Sequence, residues 1–336
     1  MGGCRLKVIG SVVQASDNLS HPEPYLRIFV AGATGVVGRR AVPLLVAAGH
    51  RATAVARTPE KRAEVERMVA AVHVDLFAPD SVRSAVAGHD VVINLATSIP
   101  PSSRVFLPGA WRKNDRVRST VPANLVAGAL AGSALWFIQE SFAPVYHDCG
   151  ERWIDENTPI RTARFNRTIE DAEAAAERFA RAGRVGTVLR FALFYGPGDA
   201  FTLDTINLIR RGWMPILGSP DAFVSLVSHE DAATAVAAAL GVPAGIYNVV
   251  DDQPLRRREF AEAIAGMLGV RPPKFLPAWV PKLAGSLGET IARSLRISNR
   301  KLRQASGWSP RYPSAREGWR AIIESIDKRA SVRPLP

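Results

Sequence analysis

The sequence predicts an α/β fold, a doubly wound parallel sheet with a smaller α/β subdomain at its C-terminal end. Three observations carry this prediction. Short apolar runs alternate with helical patterns from Arg27 to Tyr195. A glycine-rich turn follows the first run directly. Beyond Tyr195 the alternation loosens into segments rich in Gly and Pro. Alternation of this kind is the pattern of a parallel sheet covered by helices on both faces.

Residues 1–24 show no periodicity, end in His-Pro-Glu-Pro, and read as an N-terminal extension. RIFVA (27–31) is the first strand, and a helix from about Val37 to Ala48 stops at Gly49. ATAVA (52–56), VHVDL (72–76), DVVINLA (90–96) and ALWFIQE (134–140) read as the next four strands, and TVLRFALFY (187–195) as the sixth. Ser119 to Gln139 carries no charge. Its Pro122, Asn124 and Ser133 argue against a membrane span and for a buried helix (122–131) followed by a buried strand. In 224–240 a strand passes into a helix capped by Ser228, and 245–251 is a further strand. Helices are expected near 255–268, 281–295 and 314–327, with a proline-rich loop at 272–281. A cofactor-binding domain over 25–195 and a mainly substrate-binding subdomain over 196–330, with strands returning to the main sheet, is the expected division.

Composition narrows the function classes. Of 336 residues, 47% are hydrophobic and 22% charged, as in globular domains. The formal charge is +12, but 36 of the 43 basic residues are Arg and they are scattered, as a coding bias would leave them. Neither nucleic acid nor a membrane is expected as partner; a small anionic ligand suits the charge better. Two cysteines, Cys4 and Cys149, are too few for a disulfide framework or a structural zinc site. No metal site is expected, the expected setting is cytoplasmic, and the chain is read as monomer or homodimer.

The strongest site signal is GATGVVG, with Gly32, Gly35 and Gly38 between a strand and a helix. Gly32 permits the tight turn, Gly35 lets backbone approach a pyrophosphate, and Gly38 lets the helix pack on the sheet. Thr34, Val36 and Val37 complete the turn, whose helix N-terminus offers unpaired N–H groups to phosphate. Arg57 ends the second strand where NAD-preferring sites place an acid; with Arg39 it would suit the 2′-phosphate of NADP. NADP is therefore the expected cofactor, with NAD the alternative. Asp75 and Leu76 follow the third strand, where Asp can accept from the adenine amino group. Leu95, Ala96 and Thr97 end the fourth strand, beneath ribose and pyrophosphate.

GATGVVG, the Asp of VDL and the NLAT segment together resemble the extended short-chain dehydrogenase/reductases, the Rossmann-type group that includes sugar-nucleotide epimerases and dehydratases. The likeness continues through QESFAPVY (139–146), LRFALFYGPGD (189–199), VSHEDAATAV (227–236), GIYNVVDDQPL and GWSPRYPSAREG, so it covers about 27–320. It implies that Ser141 is the active-site Ser, and that Phe191 and Leu193 border the nicotinamide. It also implies an NAD(P)-dependent oxidoreductase or isomerase acting on a small organic or sugar-like metabolite. Trp213, Phe223 and His229 fall in segments that line the family's pocket, and Asn114 resembles the Asn of its fourth helix.

The likeness breaks at the catalytic pair. The family's Tyr-x-x-x-Lys moves the proton that accompanies hydride transfer. Placing that helix by Glu173 puts Phe165 at the Tyr position and Ile169 at the Lys position, and neither can carry a proton. Losing such a group costs roughly 10²–10⁴-fold in rate if nothing replaces it. Tyr146 and His147 follow Ser141 closely and are the candidate replacements. The alternatives are a protein that binds the cofactor without redox turnover, and a non-redox catalyst reusing the cleft.

Overall fold

Runs of Val, Ile, Phe and Ala, apolar on both faces, form the centre of the molecule. The computed structural model describes residues 25–331 apart from 102, 103, 108, 215 and 278; the extension at 1–24 lies outside them. The first half reads β1 (Arg27–Ala31), α1 (Gly38–Ala47), β2 (Arg51–Val55), α2 (Pro59–Glu66), β3 (Ala70–Val72), α3 (Pro79–Val86), β4 (Val91–Asn94), α4 (Arg112–Ala131) and β5 (Trp136–Phe142). Then come β6 (Trp153–Ile154), α5 (Ile169–Arg181), β7 (Val185–Phe191), β8 (Leu193–Tyr195) and α6 (Ala200–Arg210). The last part holds β9 (Phe223–Val224), β10 (Leu226–Ser228), α7 (His229–Ala238), β11 (Gly245–Val249), β12 (Leu255–Arg256) and α8 (Arg257–Met267). It closes with α9 (Val280–Leu283), α10 (Gly285–Ala292), β13 (Arg296–Ile297), α11 (Arg300–Ser306) and α12 (Ala315–Ser331).

Seven strands form one sheet in the order β11-β7-β5-β4-β1-β2-β3, all parallel. The chain leaves β1 toward β2 and β3, then returns to β4 on the other side. Such a reversal is where open α/β sheets bind ligands, at the strands' C-terminal ends. One face of the sheet buries Val42 and Leu45 of α1 and Ala232 and Val236 of α7. The opposite face buries Val82 of α3, Val121 and Leu125 of α4, and Phe179 of α5. A third core joins Ile206 of α6, Phe260 of α8 and Trp319 of α12.

Several elements differ from expectation for visible reasons. The third strand stops at Val72, because its partner β2 ends at Val55 and an Asx turn at Asp75 takes over. The segment 187–195 is two strands: at Ala192 the chain leaves β11 and β8 pairs with β10. The helix read at 122–131 begins ten residues earlier, with Pro122 inside it. The helix read at 281–295 breaks at Gly285, whose φ is +59°. α11 lacks an apolar stripe, burying only Leu302, and so left no periodicity to read. Ser228 caps α7 as expected, accepting from the Asp231 N–H at 3.0 Å.

Candidate functional site

The glycine-rich turn between β1 and α1 is shaped by contacts that a side chain would destroy. Gly32 has φ +81°, and a Cβ there would lie 2.4 Å from the Leu95 carbonyl carbon at the end of β4. A Cβ on Gly38 would lie 2.3 Å from the Gly32 oxygen, so α1 packs directly on the turn. Gly35 differs: its one neighbour within the protein is the Gly32 oxygen, 3.2 Å from the added Cβ. The packing of the chain makes little demand for glycine there, whereas a ligand laid across the turn would. Among the described residues the Val36 and Val37 N–H groups find no carbonyl, because helical pairing begins with Arg39 donating to Gly35. These donors at a helix N-terminus are what a pyrophosphate needs.

A cleft of about 250 Å³ opens beside the turn, over the ends of β1 to β4. Of the predicted residues it gathers Gly32, Thr34, Gly35, Arg57, Asp75, Leu76, Leu95, Ala96 and Thr97. Val55, Lys61, Val74, Phe77, Val117 and Val121 also line it and were not foreseen. Lys61 had a signal, a cation four residues after Arg57; the α4 valines had none, since α4 was read too short. Val36, Val37 and Gly38 lie outside this lining, and Val37 is buried in the core. Arg39 lines a separate shallow hollow that shares Thr34. Phe191 is buried and packs on Phe194 at 5.4 Å, and with Leu193 it lies away from the cleft.

The cleft walls are braced. Asp75 accepts from the Phe77 N–H at 2.9 Å, and Asn124 of α4 donates to the Leu76 carbonyl at 3.0 Å. Asn94 donates to Gln139 at 2.9 Å and accepts from the Ala96 N–H at 3.1 Å. Asn114, buried on α4, accepts from the Ser98 N–H at 3.0 Å and so holds the loop after β4. Arg57 and Lys61 line the cleft beyond the end of β2, and the acid of the lining, Asp75, follows β3 instead.

Of the candidate catalytic residues, Ser141 and Tyr146 join one buried network through Glu173 and Arg190, and His147 stands apart. Ser141 is wholly buried and donates to Glu173 of α5 at 2.5 Å. Glu173 also receives two Arg190 donors, at 2.8 and 2.6 Å. The Tyr146 hydroxyl is sealed in as well: it accepts from Arg190 at 2.9 Å and donates to Asn248 at 2.8 Å. Burial pushes its pKa up to about 12 despite Arg190 alongside. His147 alone of the three is exposed. The expected face of Phe165 and Ile169 is also corrected. Asn166 makes a turn, accepting from the Ala163 N–H at 2.6 Å, so α5 starts at Ile169 and Phe165 precedes it, against Trp111 at 5.0 Å.

Sequence reading missed Arg118 and Glu140. They form a buried ion pair at 2.8 Å between α4 and the end of β5, with side chains 4% and 10% exposed. Arg118 Nη1 and Glu140 Oε2 find no partner among the described residues. Burial raises the Glu140 pKa, with Arg118 opposing it.

His229 begins α7 beneath Gly196, where an added Cβ would lie 2.2 Å from its Nδ1. It is fully buried, and burial, with Arg40 and Arg39 adding to it, lowers its pKa to about 3. The unfolded chain therefore binds this proton first, and stability is lost as pH falls from about 6.5 toward 3. The expected loss is about 3–5 kcal/mol for this group. Urea midpoints of the wild type and His229→Gln, compared from neutral to acid pH, check it: the variant's slope should be the shallower.

A family model described as NAD(P)H-binding matches residues 32–195. A 3-diazoavenalumate denitrifying reductase from a Streptomyces species is 31% identical over 302 residues, covering 87% of this chain and 99% of that protein. A 2-alkyl-3-oxoalkanoate reductase from Shewanella oneidensis is 26% identical, covering 81% of this chain and 73% of that one. Among solved structures, a human epimerase family protein with NADPH superposes with a TM-score of 0.73 at 20% identity, covering 89% of this chain and 99% of that one.

Proposed function

Since the chain belongs to the NAD(P)-binding extended short-chain dehydrogenase/reductase family, we propose that it is an NADPH-dependent reductase that delivers hydride to a small organic electrophile needing no proton from the protein. The observation that carries this reading is a complete dinucleotide cradle beside an absent Tyr–Lys pair. Gly35, the free Val36 and Val37 N–H groups and the open cleft fit a dinucleotide. Arg57 and Lys61, without an acid at the end of β2, fit a 2′-phosphate. When bound, the nicotinamide would supply hydride to the substrate.

An arenediazonium ion is an electrophile of the required kind, and the Streptomyces relative is named for denitrifying reduction of a diazo compound. In a diazonium, the C–N bond breaks with its electron pair leaving as dinitrogen, and a C–H bond forms from hydride. No oxyanion develops, so no Tyr need protonate one. A cationic Lys at position 169 would repel such a substrate, and Ile169 does not. Arg118 Nη1 and Glu140 Oε2, buried without partners among the described residues, are the polar groups we assign to orienting it. Ser141 and Tyr146 then act as positioning residues through Arg190, and His147 remains the exposed candidate for binding at the cleft mouth.

Mixing the protein with NADPH and a diazotised aromatic acid tests this reading. Dinitrogen release and NADPH loss in equal amounts are expected, with the arene as product. Tight NADPH binding without turnover on any diazonium or carbonyl substrate would instead favour a protein that binds the cofactor without using it. Arg57→Ala combined with Lys61→Ala should weaken NADPH by about tenfold or more while leaving NADH nearly unchanged, about 1–2 kcal/mol of charge-assisted bonding. Titration calorimetry with both nucleotides reads it directly.

A further inference from the structure

Two stretches of this chain contain no acidic residue, 205–220 and 263–288. The fold lays them side by side. Lys274 donates its backbone N–H to the Gly212 carbonyl, and Met214 donates to the Lys274 carbonyl, at 2.8 and 3.0 Å. The second stretch carries large apolar side chains in the open, with Leu283 77% exposed, Trp279 60% and Leu276 36%, and Trp213 of the first, 46% exposed, bridges to Lys274. Arg210, Arg211, Arg271, Lys274 and Lys282 lie exposed among them.

The surface cations of this chain divide into paired and unpaired ones. Arg27, Arg40, Arg62, Arg83, Arg181, Arg256 and Arg258 each meet a carboxylate. Among the described residues none of the five cations on this face has an ion-pair partner. Large apolar side chains left in the open by one segment, rimmed by cations, mark an interaction surface. Trp beside Leu, ringed by unpaired Lys and Arg, is the chemistry that seats at the headgroup level of an anionic bilayer.

We propose that this face docks the protein on anionic membrane surfaces, with Trp279 and Leu283 entering the headgroup region and the five cations meeting lipid phosphates. The contact is peripheral: no helix among the described residues is long and apolar enough to cross a membrane. The geometry is independent of the reductase reading, since it uses no cleft residue.

Co-sedimentation of the full chain with vesicles of phosphatidylcholine alone, or of phosphatidylcholine with phosphatidylglycerol, tests it. Binding to the anionic vesicles alone is expected, falling as salt rises. Lys274→Glu with Lys282→Glu should cut it by about tenfold or more, since each cation near such a surface is worth about 1 kcal/mol. Trp279→Ser with Leu283→Ser should also abolish pelleting, and unchanged thermal melts of both variants show that they fold. Failure of the wild type to pellet with anionic vesicles overturns the proposal, as does pelleting that both variants retain. A concentration-dependent dimer that Trp279→Ser dissolves, without vesicle binding, would overturn it in favour of a second copy of the chain.

Discussion

Gly35→Asp is expected to abolish dinucleotide binding while leaving the fold intact. A Cβ at position 35 meets only the Gly32 oxygen, at 3.2 Å, so a side chain can be carried with a small local adjustment. The added carboxylate would stand where the turn and the N-terminus of α1 await a pyrophosphate, setting negative against negative in a site built for anions. A loss of at least about 100-fold in NADPH affinity is expected, about 2.7 kcal/mol. Gly32→Ala is the contrasting variant. Its Cβ would overlap the Leu95 carbonyl at 2.4 Å, and its φ of +81° suits no L-residue. It should lose binding and stability together. Calorimetric titration and thermal melts of the two proteins separate the roles. Unaltered NADPH affinity in Gly35→Asp would remove the cradle from this turn, and with it the reductase reading.

How much of this was legible beforehand differs between the two halves of the cleft. The dinucleotide half sits on the ends of consecutive strands, so a motif and strand ends sufficed to name Gly32, Gly35, Arg57, Asp75 and Ala96. Lys61 and Val121 come from helices whose register the sequence leaves open, and they were missed. The hydride half depends on which way β5 turns its side chains. A strand alternates its faces, and one residue of slip moves every side chain to the other face. Ser141 meets Glu173 of α5 and Glu140 beside it meets Arg118 of α4, two helices on one face of the sheet, so alternation along β5 does not by itself assign either partner. Proximity in sequence made Tyr146 and His147 look like neighbours of one cleft. Three-dimensional packing buries the first and exposes the second.

Breaking the Glu173–Arg190 hub should cost more stability than any other single substitution in the site. Arg190 has its side chain 3% exposed and Glu173 10%, and the pair is bidentate. Burial works against the Arg190 charge, yet the Glu173 bonds hold its pKa above the ordinary value. Glu173→Ala would leave that guanidinium buried with only the Tyr146 hydroxyl, for an expected loss of about 3–5 kcal/mol. Ser141→Ala and Tyr146→Phe each remove a hydrogen bond to a charged member of the same hub, for about 1–3 kcal/mol apiece. Because all three touch one network, their costs should not add. Each double mutant with Glu173→Ala should lose less than the sum of its single losses. Turnover in Ser141→Ala and Tyr146→Phe should stay within about tenfold of wild type, less than removal of a proton-transferring group would cost. Denaturant melts and steady-state rates on the same preparations decide the matter. A Ser141→Ala protein with full stability and a rate lowered by about 100-fold or more would make Ser141 a catalytic residue. The assignment of Ser141 and Tyr146 to positioning would then fall, and with it the claim that hydride transfer here proceeds without a protein acid.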